Sequence, residues 1–132
     1  QEALCKLLES NGFEVKRGIS ELPTSFEAGY DTGKPGKTVA LMGEYDCLPE
    51  IGHGCGHNLH GSLSVLSGLA LMDLKDKFKG KLYVIGTPAE EENGAKIGMA
   101  EQGIFDDMSM AVAQQFRRIF SSRYGRFKPA LL

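Results

Sequence analysis

Histidine and cysteine are scarce, with three of each in 132 residues. Cys5, Cys47 and Cys55 make an odd number with no disulfide framework, so a reducing compartment, the cytoplasm, is the simpler expectation. No apolar run reaches the ~18–20 residues needed to cross a bilayer. The longest candidate, residues 63–72, is interrupted by Ser67 and Gly68. Nothing in the sequence suggests a secreted disulfide scaffold or a membrane-spanning protein. Internal repeats and low-complexity segments are also missing. Neither charge dominates, since 15 bases face 17 acids for a formal net charge of −2. The imbalance is local. Residues 116–132 hold no acid and five bases, Arg117, Arg118, Arg123, Arg126 and Lys128. That stretch lacks the lysine density of a nucleic-acid-binding arm, which favours a composition break at the end of a domain over a nucleic-acid or membrane contact.

What is present reads as one α/β domain. EALCKLLES places Leu4, Leu7 and Leu8 on one helical face over residues 2–10, and Asn11-Gly12 supplies a stop. The chain opens inside that helical pattern without an initiator methionine, so its natural start is expected upstream. FEVKRGI and TSFEAGY read as strands, and DTGKPGK as a loop. TVALMGEYD is a nearly continuous apolar strand ending in acids, the pattern of burial on both faces. Asn58 is the expected N-cap of a helix to about residue 77, striped by Leu59, Leu63, Leu66 and Ala70. Gly61, Ser64, Ser67 and Gly68 would let a second backbone approach that helix closely. LYVIGTP is another buried-type strand, followed by a loop AEEENG, a helix AKIGMAEQG closed by Gly103, and a last strand MSMAVAQ. Strand 38–44, helix 58–77 and strand 81–87 form a βαβ unit, whose strands run parallel. Parallel strands end along one sheet edge, where open α/β sheets carry their sites. Asp46, His53, Cys55 and His57 follow the first strand; Glu90, Glu91 and Glu92 follow the second.

All three histidines fall within residues 53–60, in GHGCGHNLHG. Imidazole, thiolate and carboxylate are the donor set of zinc and its neighbours. Cys55-Gly56-His57 can aim two donors at one ion, or at two adjacent ions, if the backbone bends sharply, which glycines 52, 54, 56 and 61 permit. Glu90 and Glu91 can divide two jobs, one carboxylate on a metal and one accepting a proton from water. Each element also has a plainer reading. A single Cys-x-His is a weak signal, and an EEE run is commonly a solvated loop. Cys47 reads as a small semi-buried side chain and His60 as a surface or packing histidine. Asp46 could be a strand-end turn residue, and His53 stands between supporting a ligand and bonding its own loop.

GEYDCLPEIGHGCGHNLHG, followed by GTPAEEENGAKIGMAEQGIFDD, resembles the amidohydrolase branch of the aminoacylase- and carboxypeptidase-like di-metal peptidases. That branch includes p-aminobenzoyl-glutamate, hippurate and indole-acetyl-amino-acid hydrolases. The resemblance covers residues 1–113 and implies a three-layer α/β/α catalytic domain on a mixed, largely parallel sheet, with a separate lid and dimerisation domain. It implies Cys55, His57 and Glu91 as metal ligands, Glu90 as general base and Asp46 as a supporting acid, with His53 a further candidate for support. The implied cofactor is a divalent metal, two per site, with zinc favoured by the thiolate and imidazole and manganese, cobalt or nickel left open. The implied substrate is an N-acyl amino acid, an aminobenzoyl-glutamate-like conjugate or a small dipeptide, and the implied whole protein is a homodimer. The family supplies a histidine after FDDMSMAVA, where Gln114-Gln115 stands here. Residues 114–132 are therefore expected to be a divergent basic tail, and the chain an amino-terminal fragment with little turnover of its own. The alternative is a non-catalytic module holding one structural ion.

Overall fold

A computed structural model describes residues 1–114. The basic stretch 116–132 lies outside the described residues, and of the expected tail 114–132 only Gln114 is described. The element bounds follow the sequence pattern closely at the start. Helix α1 (Glu2–Ser10) buries Cys5 and Leu8 and half-buries Leu4, while Leu7 turns outward. Gly12, at φ +88°, reverses the chain into β1 (Glu14–Arg17). Arg17 reaches back to Glu9 at 2.6 Å and Glu2 at 3.2 Å, an exposed network of small energetic weight. A 3₁₀ turn at Ile19–Glu21 then leads to β2 (Phe26–Asp31), where Ser25 bonds the carbonyls of Ile19 and Leu22.

The remaining elements are β3 (Lys37–Glu44), α2 (His57–Met72), β4 (Gly80–Thr87), α3 (Glu90–Asn93), α4 (Ala95–Glu101) and β5 (Met110–Ala113). The sheet order is β1-β2-β4-β3-β5. β3 pairs parallel with both β4 and β5, and β2 pairs antiparallel with β1 and β4. The sheet is mixed, with its parallel half carrying the site. Alternate residues of β4 serve opposite faces, as a strand's two-residue period requires. Leu82 and Val84 join Cys5, Leu8, Phe13, Phe26 and Val65 beneath α1 and α2. Ile85 and Tyr83 join Ala40 and Met99 beneath α4. Helices therefore cover both faces of the sheet, giving three layers.

Helix α2 departs from the expected reading in three ways. Its N-cap is Gly56 in the left-handed region (φ 80°), not Asn58, which is exposed in the first turn. The helix ends at Met72, and the chain continues through a separate 3₁₀ turn at Lys75–Lys77. The leucine stripe faces away from the sheet, with Leu59 49% and Leu66 56% exposed. The inward face is His57, His60, Gly61, Ser64, Val65, Gly68 and Met72. Close approach decides this orientation. A Cβ on Gly61 would lie 2.8 Å from the Glu44 carbonyl oxygen, and one on Gly68 would lie 2.6 Å from Val84 Cγ2. Only the small-residue face can sit that near the sheet. Ser64 Oγ donates to the Met42 carbonyl at 2.7 Å and fixes the register of helix on strand.

The segment AEEENG is also more ordered than a loop. Ala89 and Gly94, both left-handed, bracket a single helical turn that carries Glu90 and Glu91.

Candidate metal centre

The two segments that follow β3 and β4 meet over the C-terminal ends of those strands. The first, residues 45–56, is closed on itself by paired backbone hydrogen bonds between Leu48 and Gly52. Gly56 then turns the chain so that His57 opens α2 while Cys55 stays in the loop. A side chain at position 56 would be strained in this conformation, which explains the glycine between the two donors.

Cys55, His57 and Glu91 converge. One donor atom from each lies within 4.8 Å of the other two. His57 is 8% exposed, and its Nδ1 lies 3.1 Å from Asp46 Oδ1. With Nδ1–H donated to that carboxylate, Nε2 faces Glu44 Oε2 at 2.8 Å and Glu91 Oε1 at 3.4 Å. Asp46 uses its second oxygen to accept the backbone N–H of Glu91 at 2.9 Å. One carboxylate thus orients the imidazole and ties the second segment to the first, the outer-shell arrangement that metal-binding histidines use.

The thiol of Cys55 is pushed up to about 11 by its hydrogen bond to Glu91, then by desolvation and by the negative charges of Glu91, Asp46 and Glu44. Without a cation the cluster favours the protonated thiol; a cation inverts that preference, because a coordinating thiol is deprotonated. Soft sulfur, imidazole and carboxylate together fit a divalent ion of the zinc type. Among the described residues this is the sole group of three or more such donors.

Glu90 lies beside the trio. Its Oε2 is buried and accepts no aligned hydrogen bond, although Lys96 Nζ approaches to 3.0 Å as a charge contact. Lys96 also donates to Glu44 Oε1. His53 stands apart, exposed, with its backbone carbonyl accepting from Gly56 N–H and its side chain outside the donor cluster. It bonds within its own loop. His60 is a packing histidine, 2% exposed, whose Nδ1 accepts the Glu44 N–H at 3.0 Å. Cys47 is exposed rather than semi-buried. A cavity of about 280 Å³ opens next to Asp46, lined also by Tyr45, Cys47, Pro88, Ala89 and Glu92. Larger hollows of about 350 and 540 Å³ lie over the sheet around Lys16, Glu27, Lys81 and Tyr83, away from these donors.

Sequence reasoning missed Glu44 and Lys96. Glu44 had a usable signal, since it precedes Asp46 by two positions and an extended strand puts both on one side. Lys96 had none, because its place depends on how α4 packs.

The sequence profile of peptidase family M20/M25/M40 matches residues 40–123. The chain belongs to peptidase family M20/M25/M40. The match runs past residue 113, where the charge of the sequence changes. One of the subunits of the p-aminobenzoyl-glutamate hydrolase of Escherichia coli (strain K12) is 33% identical, over 92% of this chain and 30% of that protein. The Xaa-Arg dipeptidase of Mus musculus is 38% identical, over 67% of this chain and 23% of that protein. This M20 chain therefore spans less than a third of the length of these two relatives. Among solved structures, the YXEP protein of Bacillus subtilis, a dinuclear metal-binding peptidase of family M20, shares the fold. Its TM-score is 0.72 at 22% identity, over 83% of this chain and 34% of that one.

Proposed function

We propose that this chain carries part of the machinery for metal-dependent hydrolysis of an amide bond, in an N-acyl amino acid, an aminobenzoyl-glutamate-like conjugate or a small dipeptide. The observation that carries the reading is the convergence of Cys55, His57 and Glu91 at the ends of two parallel strands. Family membership and the names of the relatives, a p-aminobenzoyl-glutamate hydrolase and a dipeptidase, support the substrate class. The three donors would hold a divalent ion, zinc by their chemistry, and three protein ligands leave the open position that catalytic ions keep. When bound, the ion polarises the amide carbonyl and makes water a better nucleophile.

The chain's own residues supply the rest. Asp46 holds His57 in the tautomer whose Nε2 faces the site. Glu90, whose Oε2 is paired with Lys96, takes the proton of the attacking water on its carboxylate and passes it to the leaving amine. Residues 1–113 form this catalytic portion, and 114–132 a basic tail whose first ten residues still fall within the family profile. Three unpaired thiols go with a reducing compartment such as the cytoplasm.

The test compares Glu90→Gln with Glu91→Gln by zinc content and by hydrolysis of p-aminobenzoyl-glutamate in a protein of the relatives' length. Glu90→Gln is expected to keep zinc and lose hydrolysis, and Glu91→Gln to lose both. Loss of zinc from Glu90→Gln would make Glu90 a structural ligand and favour a non-catalytic module.

A further inference from the structure

Lys96 has no part in the roles assigned so far, yet it sits among them. Its side chain is 24% exposed and rises from α4, on the layer that closes the sheet behind Glu90 and Glu91. The ammonium bridges two carboxylates, donating to Glu44 Oε1 and lying 3.0 Å from Glu90 Oε2. Desolvation works against its charge, but the hydrogen bond to Glu44 and the charges of Glu44 and Glu90 outweigh it, so its proton is held more tightly than that of an ordinary lysine. Glu44 is itself fixed, 9% exposed, with Oε2 against His57 and its backbone N–H on His60. Lys96 is thus anchored on one side and offers its charge to Glu90 on the other.

That placement answers a problem set by adjacency. Glu90 and Glu91 share one helical turn, and an unrestrained carboxylate beside a divalent ion ligates it. A fourth protein ligand would close the site, as in structural zinc centres. Glu91 is directed to the donors by the Asp46 bond to its N–H, and Glu90 is directed to Lys96. We propose that Lys96 is a positioning residue that withholds Glu90 from an ion held by Cys55, His57 and Glu91, and so keeps the site open. The proposal rests on the reading of those three residues as ligands.

The test uses the 132-residue chain and Co²⁺ alone as the probe, read by absorption spectroscopy. A thiolate-to-cobalt charge-transfer band, lost in Cys55→Ser, establishes the donor set. Its absence from the unsubstituted chain would defeat the donor-set reading before Lys96 is at issue. With the band present, Glu90→Gln is expected to leave the ligand-field bands and the cobalt affinity unchanged. Lys96→Met is expected to lower the ligand-field intensity about twofold, as coordination number rises when Glu90 ligates. The double variant Lys96→Met/Glu90→Gln should return to the starting spectrum, and Lys96→Arg should hold it. If Lys96→Met fails to fold by circular dichroism, Lys96→Gln carries the same expectation, since it keeps a donor for Glu44 without the charge. A spectral change in Glu90→Gln alone, or none in a folded charge-removed variant, overturns the proposal.

Discussion

Gly61 is the position where the fold and the candidate site constrain each other most directly. A Cβ there would meet the Glu44 carbonyl oxygen at 2.8 Å and Tyr45 Cβ at 3.1 Å. The first contact is with backbone at the end of β3, which cannot rotate away as a side chain would. Restoring ordinary contact requires α2 to retreat by about 0.6 Å, a small-to-large insertion that costs ~1–3 kcal/mol. Against this, replacing glycine by alanine in a helix gains up to ~1 kcal/mol in propensity. Gly98, inside α4, provides the reference, because a Cβ there meets nothing within 4 Å. Gly98→Ala should therefore gain most of the propensity term, while Gly61→Ala should be neutral to ~2 kcal/mol destabilised. Urea unfolding of the 132-residue chain measures both. With a slope of ~1–2 kcal/mol per molar, the Gly98→Ala midpoint should lie about 1 M above that of Gly61→Ala. Equal stabilisation by the two substitutions would refute the close seating of α2 on the strand end. Gly61→Ala should also weaken zinc uptake, since the retreat of α2 carries His57 and His60 away from their contacts with Glu44.

Three further outcomes follow from the same geometry. Ala89 holds a left-handed φ of 57° immediately before Glu90, so Ala89→Gly should stabilise by ~0.5–1 kcal/mol in the same unfolding assay, and a loss of stability would remove strain from the account. Because the Cys55 thiol is pushed up to about 11, zinc binding near neutrality must displace its proton; apparent affinity should gain about one power of ten per pH unit from this group between pH 7 and 9, a contribution absent in Cys55→Ser by competition titration. Burial pulls His60 below the usual histidine range, with Glu44 opposing in part, so the unfolded chain binds a proton that the folded one resists. Stability should then fall as pH drops below the unfolded value of about 6.5, and His60→Asn, which keeps an acceptor for the Glu44 N–H, should flatten the urea midpoint between pH 7 and 5.

The amino-acid sequence alone determined most of the elements, the parallel βαβ crossover and the convergence of the two acid-rich and histidine-rich segments, though not the helical turn at Glu90–Asn93. These follow from short-range rules: apolar runs of strand length, a helix between them, and the parallel pairing such a crossover imposes. It likewise marked Cys55, His57, Glu90, Glu91 and Asp46, because spacing around glycine and the paired acids carries local chemical meaning. Tertiary structure alone decided which face of α2 turns inward. Leu59 and Leu66 carry the stronger apolar signal, but Gly61 and Gly68 permit the shorter distance to the sheet, and distance prevailed. Tertiary structure also set His53 apart, buried His60 against β3, and brought Lys96 from α4 between Glu44 and Glu90. Such contacts join residues far apart in the chain, and no local pattern encodes where a third layer will place one ammonium group.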